Sequence, residues 1–146
     1  MAAVSSCEKD VVCVFPFLAT LISLGIAAFV WYQYVTRRRP HQLVWAIAFT
    51  FFFLASTSEW LAGLSGWSPL LARMYYLFGA TLNVGYLALG LVWLMRPGPM
   101  ATVTTLIVVA LSLVATVGLA LAPVDLDAMP ETGWQAMERP PHVRIV

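Results

Sequence analysis

With 61% of its 146 residues hydrophobic and only 10% charged, the chain has too little polar surface to clothe a soluble domain. A net charge of +1 gives no electrostatic footprint for nucleic acid, so that class of partner is set aside. Four apolar runs fill the chain between Val11 and Ala122, which leaves little length for a separate catalytic domain.

The first run covers residues 11–36. Glu8 and Asp10 spoil the basic flank of a secretory signal, and the run is long and ends in Trp31-Tyr32-Gln33-Tyr34, so a retained anchor is expected. After Arg37-Arg38-Arg39-Pro40 the second run covers residues 42–64 and closes at Gly66-Trp67-Ser68-Pro69. The third, residues 70–95, stops at Arg96-Pro97-Gly98-Pro99, and the fourth covers residues 100–122. Each exceeds the roughly 20 residues that cross a hydrocarbon core about 30 Å thick. Prolines at each break disfavour continuation of the preceding helix, and tight connections make consecutive helices antiparallel neighbours. The expected fold is all-α: a polytopic membrane protein with a four-helix up-down bundle in residues 1–122 and an irregular tail in residues 123–146. Val143-Arg144-Ile145-Val146 turns basic and apolar where the sequence stops, as on the approach to a further span of a longer family.

Arg37, Arg38, Arg39 and Arg96 share one set of span ends, whereas Lys9, Arg73 and the acidic stretch with Asp125, Asp127 and Glu131 share the other. Retention of positive charge in the cytoplasm makes the four arginines topology anchors and places both termini outside. In a bacterium this is the inner membrane. Trp31, Tyr32, Tyr34, Trp45 and Trp93 fall at the predicted inner surface and Trp60, Trp67, Tyr75 and Tyr76 near the outer one, the depth that amphipathic rings prefer. Ala19, Ser23 and Ala27 on the first helix, and Ala110, Gly118 and Ala122 on the fourth, form small-residue stripes suited to close helix packing.

Only Glu59 and Arg73 carry charge inside the expected hydrocarbon region, where each is costly unless paired or solvated. Both lie seven residues from Gly66, so an antiparallel hairpin brings them to one depth and makes an ion pair natural. Ala48, Phe52, Ala55, Ser56, Glu59, Ala62 and Gly63 share a stripe of the second helix, most of it small and suited to facing protein. At about 100° per residue, Arg73, Tyr76, Ala80 and Asn83 fall within an arc of roughly 80° on the third helix. This candidate polar site, Glu59, Arg73, Tyr76 and Asn83, is either a structural clamp or a small pocket in which Glu59 titrates or binds a cation. Cys7 and Cys13 flank the start of the first helix without a redox or metal spacing, and a disulfide between them is permitted on the outer side. His41 and His142 have no second metal ligand nearby. With no nucleotide loop, nucleophile triad, zinc motif or Schiff-base lysine, neither an enzyme nor a cofactor is expected.

Arg38-Arg39-Pro40-His41, the Glu59 region, Gly66-Trp67-Ser68-Pro69, Ala72-Arg73-Met74-Tyr75-Tyr76-Leu77-Phe78-Gly79-Ala80 and Leu89-Gly90-Leu91-Val92-Trp93-Leu94 resemble a group of uncharacterised multi-spanning bacterial membrane proteins. The resemblance implies a longer helical membrane fold and no particular activity. A fainter likeness is to the seven-helix sensor region ahead of bacterial histidine kinases, where an Arg-Arg-Arg-Pro step opens the second helix. Small multidrug exporters share the four-helix size, but their acidic residue lies in the first helix, where this chain has none. The leading expectation is a non-enzymatic accessory, sensory or assembly subunit with the lipid bilayer and other subunits as partners. The alternative is a small homo-oligomeric transporter or ligand-binding module that uses the polar track.

Overall fold

The computed structural model describes residues 2–121, with side chains from residue 14 onward. The tail of residues 123–146, with His142, and the stripe residue Ala122 lie outside the described residues, as do the side chains of Cys7 and Cys13. Among the described residues four helices are long and apolar enough to cross a membrane: Val14–Arg37, Pro40–Ser65, Pro69–Met95 and Pro99–Leu121. The described residues form an all-α four-helix bundle of the membrane type.

Three of the four helices begin on the proline itself, at Pro40, Pro69 and Pro99. The sequence reading starts each helix one or two residues later, treating these prolines as part of the break. At the first helical position the missing N–H would have had no intrahelical acceptor, and the ring presets φ for helix. Ser68 caps the third helix by accepting a hydrogen bond from the Leu71 N–H at 3.3 Å. The first helix extends back to Ala2, past the expected start at Val11, so Cys7 and Cys13 both lie within it. Six residues of helix separate their backbones by about 9 Å along the axis, beyond the Cα spacing a disulfide spans; the intrachain bridge that the sequence permits does not fit this helix.

Neighbours follow chain order. The first helix packs along the second, the second along the third, and the fourth leans on the third. Because the second helix has a partner on both sides, Gln42, Val44, Ala46 and Ala48 are all buried. Steps of two residues turn about 200° around a helix, so these side chains serve two opposite faces. On the first helix Thr20, Ser23, Ala27 and Val30 form a single buried seam. The fourth helix buries only Ala101 among its described residues.

Each neighbouring pair is tied by one tryptophan. The Trp31 Nε1–H donates to Thr50 Oγ1 (3.1 Å), joining the first helix to the second. Trp45 Nε1–H donates to the Leu87 carbonyl (3.3 Å), joining the second to the third, and Trp93 Nε1–H donates to Thr105 Oγ1 (3.0 Å), joining the third to the fourth. Both threonine hydroxyls spend their own proton on the carbonyl four residues back, Ala46 and Ala101, which leaves an oxygen lone pair for the indole. In lipid, where apolar surface gives helices no hydrophobic reason to associate, such a bond contributes about 0.6 kcal/mol and at most about 1.7.

Candidate polar site of the second and third helices

The register of the central hairpin follows from its contacts. The indole of Trp45 fills the space beside Gly90, Gly79 faces Ala55, and Phe51 stacks on Phe78 (5.3 Å) and meets Tyr86 edge-on (5.2 Å). A Cβ on Gly79 would come within 3.2 Å of the Ala55 Cβ, so the backbones approach closely at mid-membrane. Continued towards the Gly66 turn, this register sets Glu59 beside Tyr75, and the two groups interact electrostatically. Arg73 follows two residues nearer the turn. Glu59 and Arg73 are both half-buried at the same end of the hairpin.

Around them lies an aromatic cluster. Tyr75 meets Trp67 and Tyr76 edge-on, both at 5.6 Å, and Trp60 packs against Phe17 of the first helix at 5.3 Å. The end of the hairpin thus combines a carboxylate, a guanidinium and two phenols, groups able to hold a proton or orient a polar ligand.

The remainder of the track is not aligned as the sequence suggests. Tyr75–Leu82 is π-helical. The Asn83 N–H reaches the Phe78 carbonyl five residues back, and Thr81 Oγ1–H donates to the Tyr76 carbonyl at the same spacing (3.3 Å). With bonds from i to i+5 each residue turns through less than 100°, so residues between Arg73 and Asn83 do not return to one face. Tyr76 is 47% exposed and Ala80 is exposed, whereas Asn83 is half-buried with an Oδ1 that is shielded from solvent and has no hydrogen-bond partner. On the second helix Ala48, Ala55, Ser56 and Ala62 are buried as a stripe should be, but Phe52 and Gly63 are exposed.

The fourth-helix stripe is a second difference. Ala110 and Gly118 are exposed, and a side chain at Gly118 would meet nothing. The half-buried or buried face is instead that of Ala101, Thr105, Val108, Ser112 and Ala115, with Thr105 bonded to Trp93 and Val108 beside Gly85 of the third helix, and its three- and four-residue spacing marks a packing seam. That spacing of small and hydroxyl side chains is visible in the sequence and lies almost opposite Ala110.

At the other end of the molecule Arg37, Arg38, Arg39 and Arg96 are exposed. Arg38 adopts φ +52°, the left-handed region, and donates its N–H to the Tyr34 carbonyl (2.7 Å), while its guanidinium lies 5.9 Å from the centre of the Tyr34 ring. One turn further in, Gln42 is 5% exposed; its Nε2 approaches Gln33 Oε1 at 3.5 Å, and its Oε1 has no partner. Both glutamines sit close to helix ends, where polar side chains are ordinarily solvated, so the sequence carries no signal for this amide pair. His41 packs edge-on to Trp45 at 5.6 Å. Among the described residues no group of three His, Cys, Asp or Glu side chains could hold a metal ion.

The chain matches no family model, no curated protein and no solved structure.

Proposed function

We propose that the chain is a non-enzymatic accessory or assembly subunit of a membrane complex, seated in a bacterial inner membrane with its arginine-rich end in the cytoplasm and both termini outside. The observation that carries this reading is the sparse cover of the fourth helix, which buries only Ala101 among its described residues. A passage needs walls on every side, whereas Glu59, Arg73 and Asn83 lie along a single hairpin, and among the described residues the fourth helix packs chiefly on the third. Its outward face, with Val103, Ile107, Ala110, Val114, Val117 and Gly118, is exposed over its whole length. The small Ala110 and Gly118 there allow a helix from another polypeptide to approach closely. Native mass spectrometry of the protein, extracted in mild detergent from its host, tests the proposal. A complex containing this chain and a different polypeptide is expected, and a lone monomer or a pure homo-oligomer would contradict it.

A second reading, a small oligomeric transporter, is favoured by the Glu59 carboxylate beside the Tyr75 phenol and by the unpartnered Asn83 Oδ1. It requires gradient-dependent flux in proteoliposomes that is lost in Glu59→Gln with the fold intact.

A further inference from the structure

We propose that Arg37, Arg38, Arg39 and Arg96 together form a clasp for the headgroup phosphate of an anionic phospholipid. Trp45 and Gly90 are in contact and therefore level on the antiparallel second and third helices. Arg39 lies six residues before Trp45 and Arg96 six residues after Gly90, so both stand the same distance, about 9 Å, beyond that level. Packed helices are about 8–10 Å apart, which places Arg96 beside the Arg37–Arg39 corner rather than across the molecule from it. All four arginines are exposed.

Charge points the same way. Between Val14 and Leu121 the ionised residues of the sequence are five arginines and Glu59, and Glu59 lies at the opposite end of the hairpin with Arg73. No carboxylate of that stretch competes for the four guanidinium groups. The second helix opens here as well, its N-cap residue Arg39 making no side-chain cap, so its positive end faces the same region.

Position selects the occupant. The four residues immediately follow or precede membrane spans, at the level where phospholipid phosphates lie, with Trp31, Trp45 and Trp93 on the membrane side of them. Tyr34 holds the Arg38 guanidinium over its ring, and Arg38 takes a left-handed backbone to make the corner. Guanidinium groups suit phosphate oxygens because they donate two parallel hydrogen bonds, which an ammonium does not.

The test is lipid titration of the purified full chain by native mass spectrometry, with phosphatidylglycerol and phosphatidylcholine compared at equal concentration. A discrete phosphatidylglycerol adduct is expected, bound at least tenfold more tightly than phosphatidylcholine. Arg38→Gln and Arg96→Gln should each weaken it about fivefold, the effect of one basic residue at a membrane surface, and leave phosphatidylcholine binding unchanged. Arg96→Lys keeps the charge and the topology signal, and is expected to lose part of the preference because bidentate bonding is lost. Equal binding of the two lipids, an unchanged preference in Arg96→Gln, or a Lys variant identical to the parent would overturn the clasp. Displacement of the lipid by millimolar inorganic phosphate would reassign the arginines to a soluble anion and overturn it too. Thermal melts of each variant establish that a loss of binding is not a loss of fold.

Discussion

Gly90→Ala sets two effects of opposite sign against each other. In an isolated helix, alanine is favoured over glycine by about 0.8–1.0 kcal/mol. Here a Cβ at position 90 would fall on the indole of Trp45. The ring atoms in its way are the Cδ1–Nε1 edge, the same edge that donates to the Leu87 carbonyl at 3.3 Å. The indole cannot tilt away without giving up that bond, which contributes about 0.6–1.7 kcal/mol, and forcing a methyl group into a packed contact adds about 1–3 kcal/mol. Subtracting the gain in helix propensity leaves a net destabilisation of about 0.6–3.9 kcal/mol. The assay is reversible unfolding of the purified protein in mixed micelles, followed by tryptophan emission. Adding Trp45→Leu to Gly90→Ala removes the obstructing ring and should make the glycine substitution neutral or favourable in that background. Gly90→Ala more stable than the parent by about 1 kcal/mol would mean that propensity alone acts, and would refute the contact between the second and third helices on which the register rests.

Other substitutions test separate parts of the structure. Arg38→Gly should stabilise the first turn by about 0.5–1 kcal/mol, because glycine adopts φ +52° without the left-handed penalty of about 1–2 kcal/mol, partly offset by the lost stacking on Tyr34; a destabilised variant in the same unfolding assay would contradict this. Gln42→Leu is expected to be neutral or to stabilise by about 1 kcal/mol, since it removes a buried acceptor with no partner and only a long contact to Gln33, and a loss above 1 kcal/mol would show that the amide is satisfied. A double-mutant cycle of Trp93→Phe and Thr105→Val should give a coupling of about 0.6–1.7 kcal/mol; a coupling near zero would contradict the hydrogen bond that ties the third helix to the fourth.

The spans were legible because twenty consecutive apolar residues admit few other fates, and the common end of Glu59 and Arg73 followed from their equal distance from Gly66. The polar arc was not legible, because it assumed 100° per residue across Tyr75–Leu82, and the widening to i→i+5 bonds leaves no mark in Tyr75-Tyr76-Leu77-Phe78-Gly79-Ala80-Thr81-Leu82. The fourth helix carries small residues on two faces, and the stripe with Ala110 and Gly118 was no weaker as a pattern than the seam through Thr105 and Ser112 that the third helix occupies. The tryptophans were ambiguous in a different way. A ring at interface depth serves equally as a membrane anchor and as a hydrogen-bond donor, and only the level of Thr50, Leu87 and Thr105 on the next helix separates the two roles.

The accessory-subunit proposal rests on the uncovered face of the fourth helix, and a photo-reactive residue placed at Ala110 in host membranes tests it most directly. The expected result is a cross-link to a different polypeptide that is absent when the same residue replaces Ser112 on the seam. Adducts to lipid alone, or to a second copy of this chain alone, would contradict the account.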